Sequence, residues 1–155
     1  MKKIIIIFSF FLLLSCGFEP IYSKKKLEKN YNFTISNIGF SGDTSVNKNI
    51  KNNLINYIDN PEKPKKYDLI ISSSVNKTIT SKSLKGDPEI FYIEITIILE
   101  VLENDNLKNK ISFEEAFEYK NKSNKYELKK YEKNIQKNLS LEISKDIIKY
   151  LYSIK

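Results

Sequence analysis

The chain has 155 residues with a formal charge of +7, from 26 basic residues, all of them lysine, against 19 acidic ones. It contains one cysteine, four glycines, no histidine and no tryptophan. Without histidine and with a single cysteine, neither a Ser-His-Asp nor a Cys-His catalytic set nor a His/Cys zinc site can be built, no intrachain disulfide can form, and four glycines leave no phosphate-cradling loop.

The chain opens with Met1-Lys2-Lys3, a short basic stretch, followed by Ile4 to Leu14, apolar except at Ser9. This is the layout of a secretory leader, and the apolar run is too short for a stable bilayer anchor. Leu13-Leu14-Ser15-Cys16 has the order of a lipoprotein cleavage site: an aliphatic residue, a tolerant position, a small residue, then the cysteine whose thiol takes the diacylglyceryl group. The alternative is a chance thiol beside an ordinary leader. An unpaired exposed thiol is a liability in an oxidising compartment, whereas lipidation accounts for both its number and its place. The expectation is a leader over 1–15, a lipidated tether over 16–30 and one folded domain over 31–155. Export excludes nucleic acid as a partner. Gly17 rather than aspartate after the cysteine points to the outer membrane.

Gly17 to Asn30 reads as a polar tether carrying Lys24-Lys25-Lys26, a solvated run that also attracts anionic head groups. Tyr31, Phe33 and Ile35 alternate with Asn32, Thr34 and Ser36, the pattern of a half-buried strand. After Ser41-Gly42-Asp43, any of Asp43, Thr44 or Ser45 can cap a helix whose apolar residues are Val46, Ile50, Leu54 and Tyr57-Ile58. That helix is predicted to run to about Asp59, where Asn60-Pro61 stops it.

Tyr67, Leu69, Ile71, Val75 and Ile79 share one face of a long strand, and a polar loop is expected from Ser81 to Glu89, containing Gly86-Asp87-Pro88. Phe91, Ile93, Ile95, Ile97, Leu99 and Val101 form the most apolar strand face in the chain, with Ile98 and Leu102 behind it, so this strand is expected in the interior of the sheet. Glu103-Asn104-Asp105-Asn106 is a turn. Ile111, Phe113, Phe117 and Tyr119 alternate with polar residues in an edge-like strand whose outward acids oppose aggregation. Asn124 and Glu127 have capping-box spacing, and Leu128, Tyr131, Ile135, Leu139, Ile143, Ile147, Leu151 and Ile154 mark one long final helix.

The order is β-α-β-β-β-α, an α+β class. The β-α-β unit makes its two strands parallel and the short later connections make theirs antiparallel, so the expected architecture is two-layer: a four-stranded mixed sheet with two helices on one face. The other face, with Ser72, Ser74, Glu94, Thr96 and Glu114, is polar and flat. No acidic pair stands out as a catalytic couple, and the chain is not expected to be an enzyme.

The start of the tether, Cys16-Gly17-Phe18-Glu19-Pro20-Ile21-Tyr22, resembles the Cys-Gly-Phe-x-Pro-Leu-Tyr opening of alphaproteobacterial LptE lipoproteins, and the element order resembles that family over nearly the whole remaining chain. The resemblance implies a non-enzymatic outer-membrane lipoprotein, lipidated at Cys16, without a cofactor. It would sit inside the LptD barrel as plug and folding aid, and contact lipopolysaccharide on its way to the outer leaflet. The family's lipopolysaccharide contacts are basic residues in the loop between the second and third strands and just before the last helix. By loop position rather than residue match, these are Lys82 and Lys85, then Lys122 and Lys125, with Pro88 stiffening the first loop. In a chain so rich in lysine, four loop lysines are also what composition alone supplies, and Pro88 is equally a turn proline. An auxiliary lipoprotein of an ABC-type lipid transport system is the alternative reading.

Overall fold

The computed structural model describes residues 31–154; the leader and tether, with Cys16 and the Cys16–Tyr22 motif, lie outside the described residues. Residues Asn32–Lys155 form one compact unit. Its elements are β1 (Phe33–Gly42), α1 (Thr44–Leu54), a 3₁₀ turn (Ile55–Tyr57), β2 (Lys65–Lys82), β3 (Pro88–Glu103), β4 (Asn106–Lys120) and α2 (Lys125–Ser153). The sheet order is β1-β2-β3-β4. β1 runs parallel to β2, and the other two pairings are antiparallel. This is the expected α+β architecture, with β3 interior, β4 at an edge and both helices on one face.

The core lies where the alternation places it. Leu69 and Ile71 of β2, Ile95, Ile97, Leu99 and Val101 of β3, Val46, Ile50 and Leu54 of α1, and Ile143, Ile147 and Leu151 of α2 are all buried. Burial of each such side chain stabilises the fold by about 1.5–3 kcal/mol. The two helices meet across Ser140 and Ser144, both buried, whose hydroxyls donate back to the carbonyls of Gln136 (2.7 Å) and Ser140 (2.6 Å). Small side chains let the backbones approach, and the turn-back hydrogen bonds satisfy the buried hydroxyls. Asn53 of α1 donates to Ser144 Oγ at 3.2 Å across this seam.

Both helix starts are capped as their sequences require. Asp43 accepts from Val46 N at 2.9 Å, which selects it among the three candidate caps. Asn124 accepts from Tyr126 N and Glu127 N at 2.9 and 3.3 Å. The β3–β4 turn has positive φ at Asn104 (52°) and Asp105 (62°), the type I′ geometry that matches strand twist.

Two boundaries and one burial differ from the sequence expectation. The first helix ends at Leu54 rather than near Asp59. Tyr57 is instead buried in a stack on Phe33, with ring centroids 5.8 Å apart, and Ile58 forms a parallel bridge with Ile35. Thr34 Oγ1 secures this return by donating to Tyr57 O (3.3 Å) and accepting from Asn60 N (2.9 Å). Tertiary packing outbids continued helix here. Second, the polar loop is shorter than Ser81 to Glu89, because β2 reaches Lys82 and β3 begins at Pro88. Third, Ile79 was expected to share the buried face, yet it is 45 % exposed. The end of β2 that carries it outruns the well-packed core.

Candidate functional site

The two loops expected to carry lysines come together at one end of the sheet. Antiparallel pairing of β3 with β4 sets Ile90 opposite Lys120, so the chain leaving β4 passes beside the start of β3. Asn121 then locks it there. Its backbone N donates to Glu89 O and its side-chain amide donates to Pro88 O, both at 2.8 Å, while its Oδ1 accepts from Lys122 N at 2.8 Å.

The β2–β3 tip is a five-residue loop, Ser83 to Asp87, organised by Ser83. Ser83 N donates to Asp87 O (2.8 Å), Ser83 O accepts from Gly86 N (2.9 Å), and Ser83 Oγ accepts from Lys85 N and Asp87 N (3.3 and 3.2 Å). Gly86 has φ +87°, a left-handed conformation that glycine adopts without strain. Leu84 projects fully into solvent at the tip. Pro88 pairs with Lys82 as the first residue of β3, a strand position that proline tolerates.

Lys82, Lys85, Lys122 and Lys125 are all exposed. Lys82 is the last residue of β2, Lys85 and Lys122 lie on the two abutting loops and Lys125 opens α2, so the four residues stand at one end of the sheet. Lys122 Nζ lies 4.6 Å from the centroid of the Tyr131 ring, within cation–π range. None of the ion pairs among the described residues engages these four lysines.

Just beneath this pole is a polar clasp that sequence reasoning missed. Glu132 of α2 accepts from Lys77 Nζ of β2 at 2.5 Å and from Tyr119 Oη of β4 at 2.7 Å. Lys77 Nζ also lies 4.2 Å from the Phe91 ring centroid of β3. Phe91 stacks on Tyr119 (5.6 Å), which meets Tyr131 edge-on (5.9 Å). Two strands are thereby tied to α2 at one carboxylate, with Phe91 of the strand between them packed against both donors. Burial pushes the Tyr119 hydroxyl well above its ordinary range, and its hydrogen bond to the Glu132 carboxylate adds to this. The available signal was the inward alternation of Lys77 with Val75 and Ile79, which places a charge on the helix-facing side. A shallow groove of about 150 Å³ continues from the clasp between β4 and α2, lined by Phe117, Tyr131 and Leu139 with Asn134 and Asn138.

Among the described residues no group of three or more His, Cys, Asp or Glu side chains could hold a metal ion. The opposite face of the sheet is acidic and hydroxyl-rich, with Glu94, Glu114, Ser72, Ser74 and Thr96 as expected, and Tyr92 Oη donating to Glu94 at 3.1 Å. Ile70 and Ile98 interrupt it, at 43 % and 40 % exposure.

No family model matches the chain, and no curated protein sequence matches it. Solved structures do. The fold is that of rare lipoprotein B from Shewanella oneidensis, with a TM-score of 0.56 and 12 % identity over 76 % of this chain and 95 % of that one. A minor lipoprotein from Acinetobacter baumannii is similar at a TM-score of 0.56 and 10 % identity, over 76 % and 91 % of the two chains. Lipoprotein B from Nitrosomonas europaea is similar at 0.53 and 12 %, over 81 % and 88 %. The likeness is one of fold, and these three proteins are bacterial lipoproteins.

Proposed function

We propose that this chain is a non-enzymatic outer-membrane lipoprotein of the LptE kind, anchored on the periplasmic side through acyl chains on Cys16. In this reading it fills and helps assemble the LptD barrel, and it offers Lys82, Lys85, Lys122 and Lys125 to lipopolysaccharide phosphates. Three lines support it: the Cys16–Tyr22 opening, a fold shared with bacterial lipoproteins over most of their length, and the meeting of two lysine-bearing loops at one pole. The last is the observation that carries it, because the loops are remote in sequence and Asn121 holds them together.

The mechanism needs no bond-making. A rigid two-layer domain occupies the lumen, and its lysine pole meets a polyanionic lipid. One exposed ion pair is worth less than about 1 kcal/mol, so the contact depends on several lysines converging where water is scarce. The test replaces all four lysines with glutamine and measures lipopolysaccharide binding. A large loss of affinity is expected, and unchanged affinity removes the contact assignment. Affinity purification of the native protein from membranes is expected to bring down a large outer-membrane barrel. Recovery of an ABC-type permease instead would transfer the reading to an auxiliary lipoprotein of lipid transport.

A further inference from the structure

The first half of α2 carries Lys125, Lys129, Lys133 and Lys137, each four residues after the last, with Lys130 beside them. All five are exposed, and none of the ion pairs among the described residues involves them. The second half is built differently: there Lys145 pairs with Glu142 and Lys149 with Asp146, each at 2.7 Å. Like charges at a spacing of four destabilise a helix, so an unmatched row works against the local fold.

The end of the row nearest the middle of the helix has a defined direction. Residues four apart drift by about 40° around an α-helix, at about 100° per residue. The inward row Tyr131, Ile135 and Leu139 steps by the same four, so the two rows wind together. Lys133 lies midway between Tyr131 and Ile135, which sets it about 180° from the inward direction. Lys137, midway between Ile135 and Leu139, is set the same way, whereas Lys125, seven residues before Glu132, lies on the side of the helix from which Glu132 reaches the clasp. The acids in this stretch stand off the row: Glu132 is turned into the clasp with Lys77 and Tyr119. Glu127, two residues after Lys125, falls on the far side of the helix from it and neighbours only Lys130.

We propose that this row is a docking surface for the phosphate plane of an anionic glycerophospholipid bilayer, on which the domain lies before it engages a barrel. A single phosphate is bound by donors that converge. This row instead is spread along the helix, over about 18 Å of rise from Lys125 to Lys137 in steps of about 6 Å, and its complement is an extended array of anions. The proposal rests on the lipid anchor of the reading above. From Cys16 to Asn32 the chain can reach at most roughly 55 Å, enough for the domain to touch the leaflet that holds its anchor. Each lysine brought to an anionic surface tightens the association roughly fivefold.

The test uses the native lipidated protein on phosphatidylcholine vesicles with and without phosphatidylglycerol, and reads amine acetylation lysine by lysine. Labelling of Lys129, Lys130, Lys133 and Lys137 is expected to slow roughly fivefold or more on the anionic vesicles. Lys145 and Lys149 should stay unchanged, and the protection should vanish at about 1 M salt, where the screening length falls to about 3 Å. Flotation with both vesicles and equal labelling on both leaves the anchor standing and overturns the surface. Protection by lipopolysaccharide vesicles but not by phosphatidylglycerol also overturns it. Flotation with anionic vesicles alone supports the lysine surface while removing the anchor, and flotation with neither overturns both.

Discussion

The turn from β1 into α1 offers a sharp test of how the sheet is assembled. Gly42 has φ +89°, and a Cβ built on it would lie 1.8 Å from Ser73 O and 2.8 Å from Ser73 C. The neighbouring backbone is already committed: Asp43 N donates to Ser73 O at 3.2 Å, and Ser73 Oγ contacts Ser41 O and Asp43 O at 3.3 and 3.2 Å. The overlapped atoms are backbone, so the overlap cannot be relieved by swinging a flexible side chain. Gly42→Ala therefore combines a left-handed penalty of about 1–2 kcal/mol with an overlap cost of about 1–3 kcal/mol. The expected loss is about 3 kcal/mol, a large fraction of the stability of a small domain. In urea denaturation the midpoint should fall by about 1–3 M at an unchanged slope. Gly39, in the same strand, is the control, since its nearest neighbour would be 3.9 Å away and its φ is ordinary. Gly39→Ala should be neutral or stabilising by about 0.4–1 kcal/mol. A Gly42→Ala loss under about 1 kcal/mol, or equal effects at both positions, would refute this account of the corner.

Three further outcomes are expected. Asn124→Ala removes the acceptor for two backbone donors at the start of α2 and should cost about 1 kcal/mol in denaturant titration. Ile147→Ala in the buried seam of α2 should cost about 2–5 kcal/mol by the same assay, and a smaller loss would mean that the helix layer collapses around the void. Tyr119 has a folded-state pKa raised above its ordinary 10.0, so the unfolded chain loses that proton first. The clasp's contribution is thus fully present below pH 10 and is lost as pH rises from there toward the folded value. Tyr119→Phe should flatten that alkaline fall in thermal stability, and a fall of equal steepness in the variant would assign it elsewhere, with Tyr67, whose burial also raises its hydroxyl, as the next candidate.

Element type and order were legible because each element carries a long, unmixed period. Phe91 to Val101 alternates over six apolar positions, with Ile98 the main interruption, and α2 repeats from Ile135 to Leu151. Boundaries were less legible where a distant partner outweighed local preference. Tyr57 fits a helix by spacing but leaves it for Phe33, 24 residues earlier. Ile79 reads as core by alternation but sits where the well-packed core has ended.

By itself the sequence determined the element order, most of the inward faces, the cap of the second helix and the absence of histidine chemistry, because periodicity, capping and composition act over a few residues. The tertiary structure decided what depends on residues far apart in the chain. It brought Lys82 and Lys85 near Lys122 and Lys125 through Asn121, and it brought Lys77 and Tyr119 to the Glu132 carboxylate. Strand pairing and helix packing set those distances, and no local pattern encodes them.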